Sequence, residues 1–299
     1  MRCVAPRPGT MVPAGATRGA RVRTTWGSAT DRGRVRALNE DALLAHPPVF
    51  LVADGMGGHE AGDVASRLAV EEFAALAGRA TVDPSDLHAC FRSAARRIRG
   101  AFERREGGTT VAGVALSEHD GAAHWLVFNV GDSRVYRWAD GELAQLTVDH
   151  SVVQELVDSG ALSRDAAEQH PERHVLTRAL GTGADPEPDY WTLPARPGDR
   201  LLVCSDGVTG ELAPGDLADV LHRVEGAGAA AAELVRRAVE AGGRDNATAV
   251  VVDAAGDEPD TTDSPGWLAF GTGPADRTWD ESVDGATIPR PRNHQEDRR

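Results

Sequence analysis

The sequence predicts an α+β fold, a sandwich of antiparallel sheets with helices on the outside. Short apolar runs alternate with polar turns along much of the chain, and several neighbouring runs are separated by only a few turn residues, which favours hairpins. Two long amphipathic segments follow one another early in the chain, and two shorter ones come late. Because each pair of helices can cover one outer face, the pattern places sheets inside and helices outside.

The predicted strands are apolar or β-branched runs that stop at turn signals. A polar turn from Ser117 to Gly121 joins one pair of runs, and Ala139-Asp140-Gly141 separates the next pair. Two further runs stop at an Asp-Gly pair, which is a turn signal. The strands are expected at residues 42–45, 49–53, 109–116, 122–130, 135–138, 142–146, 200–205 and 246–252.

The predicted helices carry their apolar side chains on one face. Residues 61–77 bring Leu68 and Phe73 together at helical spacing, and residues 85–104 do the same with Leu87 and Phe91. Shorter helices are expected at 214–224 and 228–241, and the region 150–180 is expected to be partly helical.

Both ends of the chain lack any periodic pattern. Residues 1–20 mix Pro, Gly, Ala and Arg, and residues 255–299 are rich in Asp, Pro, Gly and Thr. Such composition predicts a disordered leader and a disordered acidic tail. The folded unit is therefore expected at residues 21–254.

Composition excludes several classes of function. The 299 residues carry a formal net charge of -14, which argues against binding nucleic acid through phosphate contacts. The chain contains no lysine, so Schiff-base catalysis and a phosphate-loop lysine are impossible. Its three cysteines are too far apart for a CxxC metal site or a disulfide framework. No secretory signal and no membrane-length apolar run is present, so we expect a cytoplasmic monomer.

Acidic residues stand at the boundaries of the predicted strands. In an antiparallel sheet the end of one strand lies beside the start of its neighbour, so these acids can meet on one rim. Clustered carboxylates repel one another unless they share protons or a cation, and oxygen ligands without His or Cys favour Mg²⁺ or Mn²⁺ over Zn²⁺. A single Asp-Gly is more often only a turn, so the prediction depends on the whole set. The set is Glu40, Asp41, Asp54, Asp206 and Asp245.

Five motifs occur in a fixed order and carry a resemblance to a known family. They are RALNED at 36–41, VADGMGGH at 52–59, NVGDSR at 129–134, CSDG at 204–207 and GRDNAT at 243–248. Over about residues 21–254 the chain resembles the bacterial metal-dependent protein phosphatases, the PP2C-like or PPM family. The resemblance implies a four-layer αββα sandwich with two antiparallel sheets packed face to face. It also implies hydrolysis of phosphoserine and phosphothreonine on proteins by a metal-activated water, without a phosphoenzyme intermediate.

The resemblance implies a role for each acidic motif residue in holding two or three Mn²⁺ or Mg²⁺ ions. Asp54 would bridge two cations, the carbonyl of Gly55 would bind the second, and Asp206 and Asp245 would bind the first. The other acids would approach the second cation directly or through water, or would hold a third cation together with Asp206. They are Glu40 and Asp41 for the second cation and Asp132 for the third.

Two further residues are candidates for direct action on the substrate. Arg36 matches the arginine that grips the substrate phosphate, since a guanidinium offers two donors in a plane. Animal members of the family carry a histidine after the Asp-Gly pair, where this chain has Met56. His59 is the nearest substitute as a general acid, but it could equally be a loop histidine, and a metal-bound water could do that job.

The expected partners are phosphorylated proteins, such as a serine/threonine kinase or its targets. The family's flap corresponds to residues 147–180, which could influence the choice of substrate. One alternative is a phosphatase-like module that binds a partner without hydrolysis, although the intact set of acids argues against it. A nucleotide-binding enzyme built on the glycine-rich residues 55–58 is disfavoured, because Glu60 and Asp63 would face the phosphates.

Overall fold

The computed structural model describes residues 22–57, 61–102, 107–167, 170–183 and 187–256. The strands are β1 (Val22–Asp31), β2 (Asp41–His46), β3 (Val49–Met56), β4 (Gly108–Thr109), β5 (Val111–His119), β6 (Ala122–Val130), β7 (Arg134–Ala139), β8 (Glu142–Gln145), β9 (Asp189–Pro194), β10 (Arg200–Cys204) and β11 (Ala247–Gly256). The helices are α1 (Ala61–Ala74), α2 (Pro84–Ala101), α3 (Val152–Asp158), α4 (Arg164–Ala167), α5 (Asp206–Thr209), α6 (Pro214–Arg223) and α7 (Ala227–Ala241).

The strands form two antiparallel sheets. The five-stranded sheet has the order β1-β11-β10-β7-β8. The six-stranded sheet has the order β2-β3-β5-β6-β9, with β4 paired to β3 outside this path. Every pairing within both sheets is antiparallel, as the hairpin pattern predicts.

The central strands are buried on both faces, which explains why their sequences are continuous apolar runs. On β3, Phe50 and Val52 face the other sheet, whereas Leu51 and Ala53 face the helices. Residues of β10 and β11 alternate in the same way between the core that separates the sheets and the core beneath the outer helices. A strand covered on both sides has no polar face, so it lacks the alternating pattern of a half-exposed strand.

Helices cover the outer face of each sheet and complete four layers. The helices α1 and α2 pack on the six-stranded sheet, and α6 and α7 pack on the five-stranded sheet. The approach of α7 to β1 is so close that a Cβ on Gly27 would lie 2.2 Å from the Cα of Gly228. Among the helices of the described residues, none has the length and apolar character that crossing a lipid bilayer requires. The architecture confirms the predicted α+β sandwich.

The structure differs from the sequence prediction at several boundaries. The pattern missed β1 and β9, which are edge strands with half-exposed side chains and therefore carry weak apolar runs. Asp206 begins the short helix α5 instead of a simple turn, and α1 ends at Ala74. The closing strand continues to Gly256, two residues beyond the predicted end of the folded unit. The predicted leader, and the predicted tail from residue 257 onward, lie outside the described residues.

Two cysteines of the described residues are free thiols within the core. Cys90 lies on α2, and Cys204 is the last residue of β10. Burial raises the pKa of each thiol to about 12. Neither thiol is therefore a nucleophile near neutral pH.

Candidate metal centre

Four acids of the predicted set lie at strand ends along one rim of the sandwich. Asp41 and Asp54 are directly opposite in the ladder between β2 and β3. Asp206 follows β10, and Asp245 precedes β11, the antiparallel neighbour of β10. The strand-end argument therefore places these four acids correctly in the fold.

Asp41 connects the two sheets at this rim. Its Oδ2 accepts hydrogen bonds from Ser205 Oγ at 2.8 Å and from Thr248 Oγ1 at 2.6 Å, both on the opposite sheet. Its Oδ1 is buried and has no hydrogen-bond partner among the described residues. Oδ2 therefore stabilises the contact between the two sheets, and Oδ1 remains available to a ligand.

The buried acids act on one another electrostatically. The pKa of Asp54 is raised well above its ordinary value, first by burial and then by the charges of its acidic neighbours. The pKa of Asp41 is raised to about 7, first by burial and then by the charges of Asp206 and Asp245. The hydrogen bonds from Thr248 and Ser205 lower this pKa and oppose the shift. The pKa of Asp132 rises to about 7 through burial and the charge of Asp206. Asp132 is therefore part of the same group, as the resemblance implies.

The donor set suits a hard divalent cation. All the candidate ligands are oxygens, and Asp206 Oδ1, like Asp41 Oδ1, is buried without a hydrogen-bond partner in the described part of the chain. Within the described ranges, no three His, Cys, Asp or Glu side chains are already close enough to form a finished metal-binding group. The charge of Asp206 nevertheless raises the pKa of Asp41, Asp54 and Asp132. The residues present therefore fit Mg²⁺ or Mn²⁺.

Asn246 fixes the loop that carries Arg36 and Glu40. Its Nδ2 donates to the carbonyl oxygens of Arg32 and Leu38 at 2.9 Å each, and its Oδ1 accepts from the backbone N–H of Glu40 at 2.8 Å. These bonds hold the loop beside the residue that precedes Asn246, which is Asp245.

Arg36 reaches the rim and pairs with one of its acids. Arg36 Nη2 donates to Asp245 Oδ2 at 2.6 Å, and this bond is the largest cause of the raised Arg36 pKa. The guanidinium side chain is 49% exposed, so solvent and substrate can both reach it.

Gly55 allows three backbone segments to meet next to Asp54. Its N–H donates to the carbonyl oxygen of Glu40 at 3.1 Å, and a Cβ at this position would lie 2.2 Å from the carbonyl oxygen of Gly62 on α1. A side chain at position 55 would therefore separate Glu40 and α1 from the strand.

Burial raises the pKa of Glu40, although the charge of Arg36 opposes the shift.

Thr110 links the turn of Asp132 to the strand of Asp54. Thr110 Oγ1 accepts from the backbone N–H of Asp54 at 3.0 Å and lies 2.8 Å from Ser133 Oγ. Two acids from distant parts of the sequence are thus positioned by one shared hydroxyl.

The structure also reveals a site residue that sequence reasoning missed. His174, in the flap, has its Nδ1 3.6 Å from Asp206 Oδ2, and the contact with Asp206 raises the histidine pKa. No local pattern marks His174, because the contact joins residues that are distant in sequence. Asn246, Ser205 and Thr248 were also missed as supporting residues, although all three lie inside the quoted motifs. His59 lies outside the described residues.

Comparison with known proteins identifies the family. A model of the family described as protein phosphatase 2C matches residues 31–241. The serine/threonine protein phosphatase PstP of Mycobacterium tuberculosis is 40% identical over 238 residues, which are 76% of this chain but only 44% of that protein. The serine/threonine phosphatase stp of Listeria welshimeri is 34% identical over 239 residues, covering 75% of this chain and 93% of that protein.

A solved structure that contains manganese has the same fold as this chain. The catalytic domain of PstP in complex with two manganese ions superimposes with a TM-score of 0.70 at 33% identity, covering 79% of this chain and 100% of that chain. The match spans the whole of that catalytic domain. With the matching family model and the rim of carboxylates, this shows that the chain belongs to the protein phosphatase 2C family.

Proposed function

We propose that this chain hydrolyses phosphoserine and phosphothreonine on proteins, using Mn²⁺ or Mg²⁺. The observation that carries the proposal is a group of buried acids, drawn from separate segments, that raise one another's pKa at one rim. Buried like charges are costly, and a cation between them removes that cost. Family membership supports the same activity.

The proposed ligands follow the order of the motifs. Asp54 would bridge two cations, the Gly55 carbonyl would serve the second, and Asp206 and Asp245 would serve the first. Glu40 and Asp41, whose Oδ1 has no hydrogen-bond partner among the described residues, would approach the second cation directly or through water, and Asp132 would join Asp206 at a third. When bound, the ions supply a water of lowered pKa as the nucleophile and neutralise charge on the phosphoryl group.

The chain's own residues bind and orient the phosphoryl group. Arg36 uses one of its nitrogens for Asp245, which leaves other N–H donors for the phosphate oxygens. Since a water is the nucleophile, no phosphoenzyme forms, and Cys90 and Cys204 are too deeply buried to compete. For the proton that the leaving alkoxide requires, His59 or a water is proposed as the source, and His59→Gln distinguishes them by its effect on kcat.

The test is release of phosphate from phosphothreonine and phosphoserine peptides with Mn²⁺ present, with phosphotyrosine peptides for comparison. We expect turnover of the first two, loss of turnover with chelator, and recovery when Mn²⁺ is restored. Asp54→Asn is expected to abolish turnover. Asp120→Asn is the matched control, because Asp120 is 92% exposed in the turn between β5 and β6. A purified, folded wild-type chain that releases no phosphate from any of these peptides contradicts the proposal.

The physiological substrates are proposed to be phosphorylated proteins that include a serine/threonine kinase or its targets. Capture with the Asp54→Asn variant, followed by mass spectrometry, would identify them. The expected result is enrichment of phosphoproteins that wild-type enzyme then dephosphorylates. Enrichment of unphosphorylated proteins alone would contradict this part of the proposal.

A further inference from the structure

The turn that carries Asp132 is held at both ends by one dipeptide, Asp149-His150. At one end Arg134 donates to Asp149 through Nε at 2.9 Å and Nη2 at 2.7 Å. At the other end the N–H of Gly131 donates to His150 Nδ1 at 3.1 Å, and the N–H of His150 donates to the Gly131 carbonyl oxygen at 2.9 Å. Asp132 therefore lies between two residues, Gly131 and Arg134, that are both held by this dipeptide.

The hydrogen bonds of His150 fix its tautomer and its orientation. A backbone N–H can only donate, so Nδ1 is the acceptor and carries no proton. The proton is then on Nε2, which donates to Asp189 Oδ2 at 3.1 Å. His150 is only 3% exposed, so the ring is held by these two bonds and by packing.

The same network continues from His150 to the other end of the flap, at Thr177 and Arg178. Arg178 Nη1 donates to the other carboxylate oxygen of Asp189 at 3.1 Å, and the N–H of Thr177 donates to the carbonyl oxygen of His150 at 2.9 Å. The Arg178 side chain is 43% exposed. A continuous path, here named the His150 relay, thus runs from Arg178 through Asp189 and His150 to Gly131.

We propose that His150 is a positioning residue that sets the cation affinity at Asp132, and that the His150 relay couples the flap to this site. The inference rests on the proposed function and extends it. Gly131 has a φ of +111°, a backbone conformation that favours glycine, and its N–H and its carbonyl oxygen both form hydrogen bonds with His150. Loss of the acceptor at Nδ1 would free the peptide that leads into Asp132, and supporting residues of this kind commonly change metal affinity about 10- to 100-fold.

Two isosteric variants separate the two bonds of the ring. In His150→Asn the amide oxygen occupies the place of Nδ1 and keeps the acceptor for Gly131. In His150→Gln the amide nitrogen occupies the place of Nε2 and keeps the donor for Asp189. Mn²⁺ binding to metal-free protein is measured by calorimetry, and Asp132→Asn identifies the binding event that depends on Asp132. Melting temperatures without metal report any general loss of stability.

The expected result is a weakening of the Asp132-dependent Mn²⁺ event by about tenfold in His150→Gln. His150→Asn is expected to rescue most of that loss. Equal weakening in both variants, or a His150→Gln variant that binds like wild type while Asp132→Asn does not, would overturn the inference and leave the proposed function intact. A wild-type chain that takes up no Mn²⁺ would overturn both.

A second pair of variants tests the relay from its exposed end and does not depend on a core substitution. Arg178→Gln removes the contact with Asp189, whereas Arg79→Gln changes an arginine of similar exposure whose hydrogen bond goes to Asp86 at the start of α2. We expect Arg178→Gln to weaken the Asp132-dependent event by about threefold and Arg79→Gln to leave it unchanged. Identical binding in these two variants contradicts the coupling to the flap.

Discussion

Two regions of this fold bury aspartates in opposite ways. Asp199 is 2% exposed and fully partnered by donors. Its oxygens accept from Arg137 Nε at 2.8 Å, from Trp125 Nε1 at 3.0 Å and from the N–H of Arg196 at 2.9 Å. At the rim, by contrast, Asp54 has acids as its main charged neighbours.

The difference separates structural acids from acids that await a ligand. A buried carboxylate with a cationic partner and several N–H donors is complete within the protein, and removing it leaves the partner charge unpaired. A buried carboxylate that faces other carboxylates is stable only when protonated or when a cation is bound. The partners of a buried acid therefore indicate better than its burial whether the acid is structural or binds a ligand.

The largest expected effect concerns activity. Asp54→Asn should lower kcat by at least about a thousandfold, because it removes the carboxylate that is proposed to hold two cations. Asp199→Asn, the same chemical change at the other region, should keep kcat per folded molecule within about twofold of wild type. Rates are measured on a phosphothreonine peptide and corrected for the folded fraction. Comparable losses in the two variants would remove the distinction between the regions.

For the free energy of unfolding, the larger effect is expected from Asp199→Asn and the smaller one from Asp54→Asn. Asp199→Asn is expected to lower the free energy of unfolding by about 3 kcal/mol, since Arg137 and its neighbours lose a buried charged partner. Asp54→Asn in metal-free protein should leave the free energy of unfolding unchanged or raise it, because one less charge relieves repulsion. Urea unfolding in the presence of chelator measures both. An Asp54→Asn variant that is the less stable of the two would contradict the comparison.

The metal-free protein should become less stable as the pH rises. The folded-state pKa of Asp41 and Asp132 is about 7, above the ordinary value of 3.8, so folding favours their protonated forms. Their contribution is complete below about pH 4 and is lost as the pH rises through 7. We expect the free energy of unfolding to fall by up to about 5 kcal/mol between pH 5 and pH 8.

The pH effect has a matched control. Asp132→Asn should make the slope of stability against pH shallower, because one of the titrating groups is removed, and Asp120→Asn should keep the wild-type slope. Thermal unfolding in chelator at several pH values provides the measurement. A stability that rises with pH in wild type would show that these acids are ionised in the folded state.

The smallest effect is expected for the exposed Arg–Asp pair. Arg36→Gln should change the free energy of unfolding by less than about 0.5 kcal/mol, because solvent screens the pair with Asp245. Arg137→Gln, which breaks the buried pair with Asp199, should cost several times more. Chemical unfolding of both variants gives the ratio, and a large loss in Arg36→Gln would assign that arginine a structural role.

Much of the rim was predictable because its acids stand at strand boundaries, which local patterns reveal. Asp54 and Asp206 end apolar runs, and antiparallel geometry brings such ends together. The pairing of Asp199 with Arg137, the contact of His174 with Asp206 and the position of His150 were not predictable. Each joins residues distant in sequence, and no periodicity marks a contact that depends on how sheets and flap pack.

The edges of the sheets were the weakest part of the fold prediction. β1 and β9 carry half-exposed side chains, so their sequences lack the continuous apolar runs that identify β3 and β10. Their pairing with β11 and β6 supplies the stabilisation that their own composition does not show. β1 and β9 are therefore identified by the strands beside them, whereas the edge strands β2 and β8 were predictable from their own residues.

The burial of Cys90 and Cys204 bears on how peroxide would affect the proposed activity. Phosphatases that attack with a cysteine thiolate lose activity when peroxide oxidises that sulfur. Here both thiols stay protonated within the core, and the proposed chemistry depends on oxygen ligands. An oxidative burst that inactivates thiol-dependent phosphatases should therefore leave these two sulfurs unmodified, and the proposed dephosphorylation would not depend on either of them.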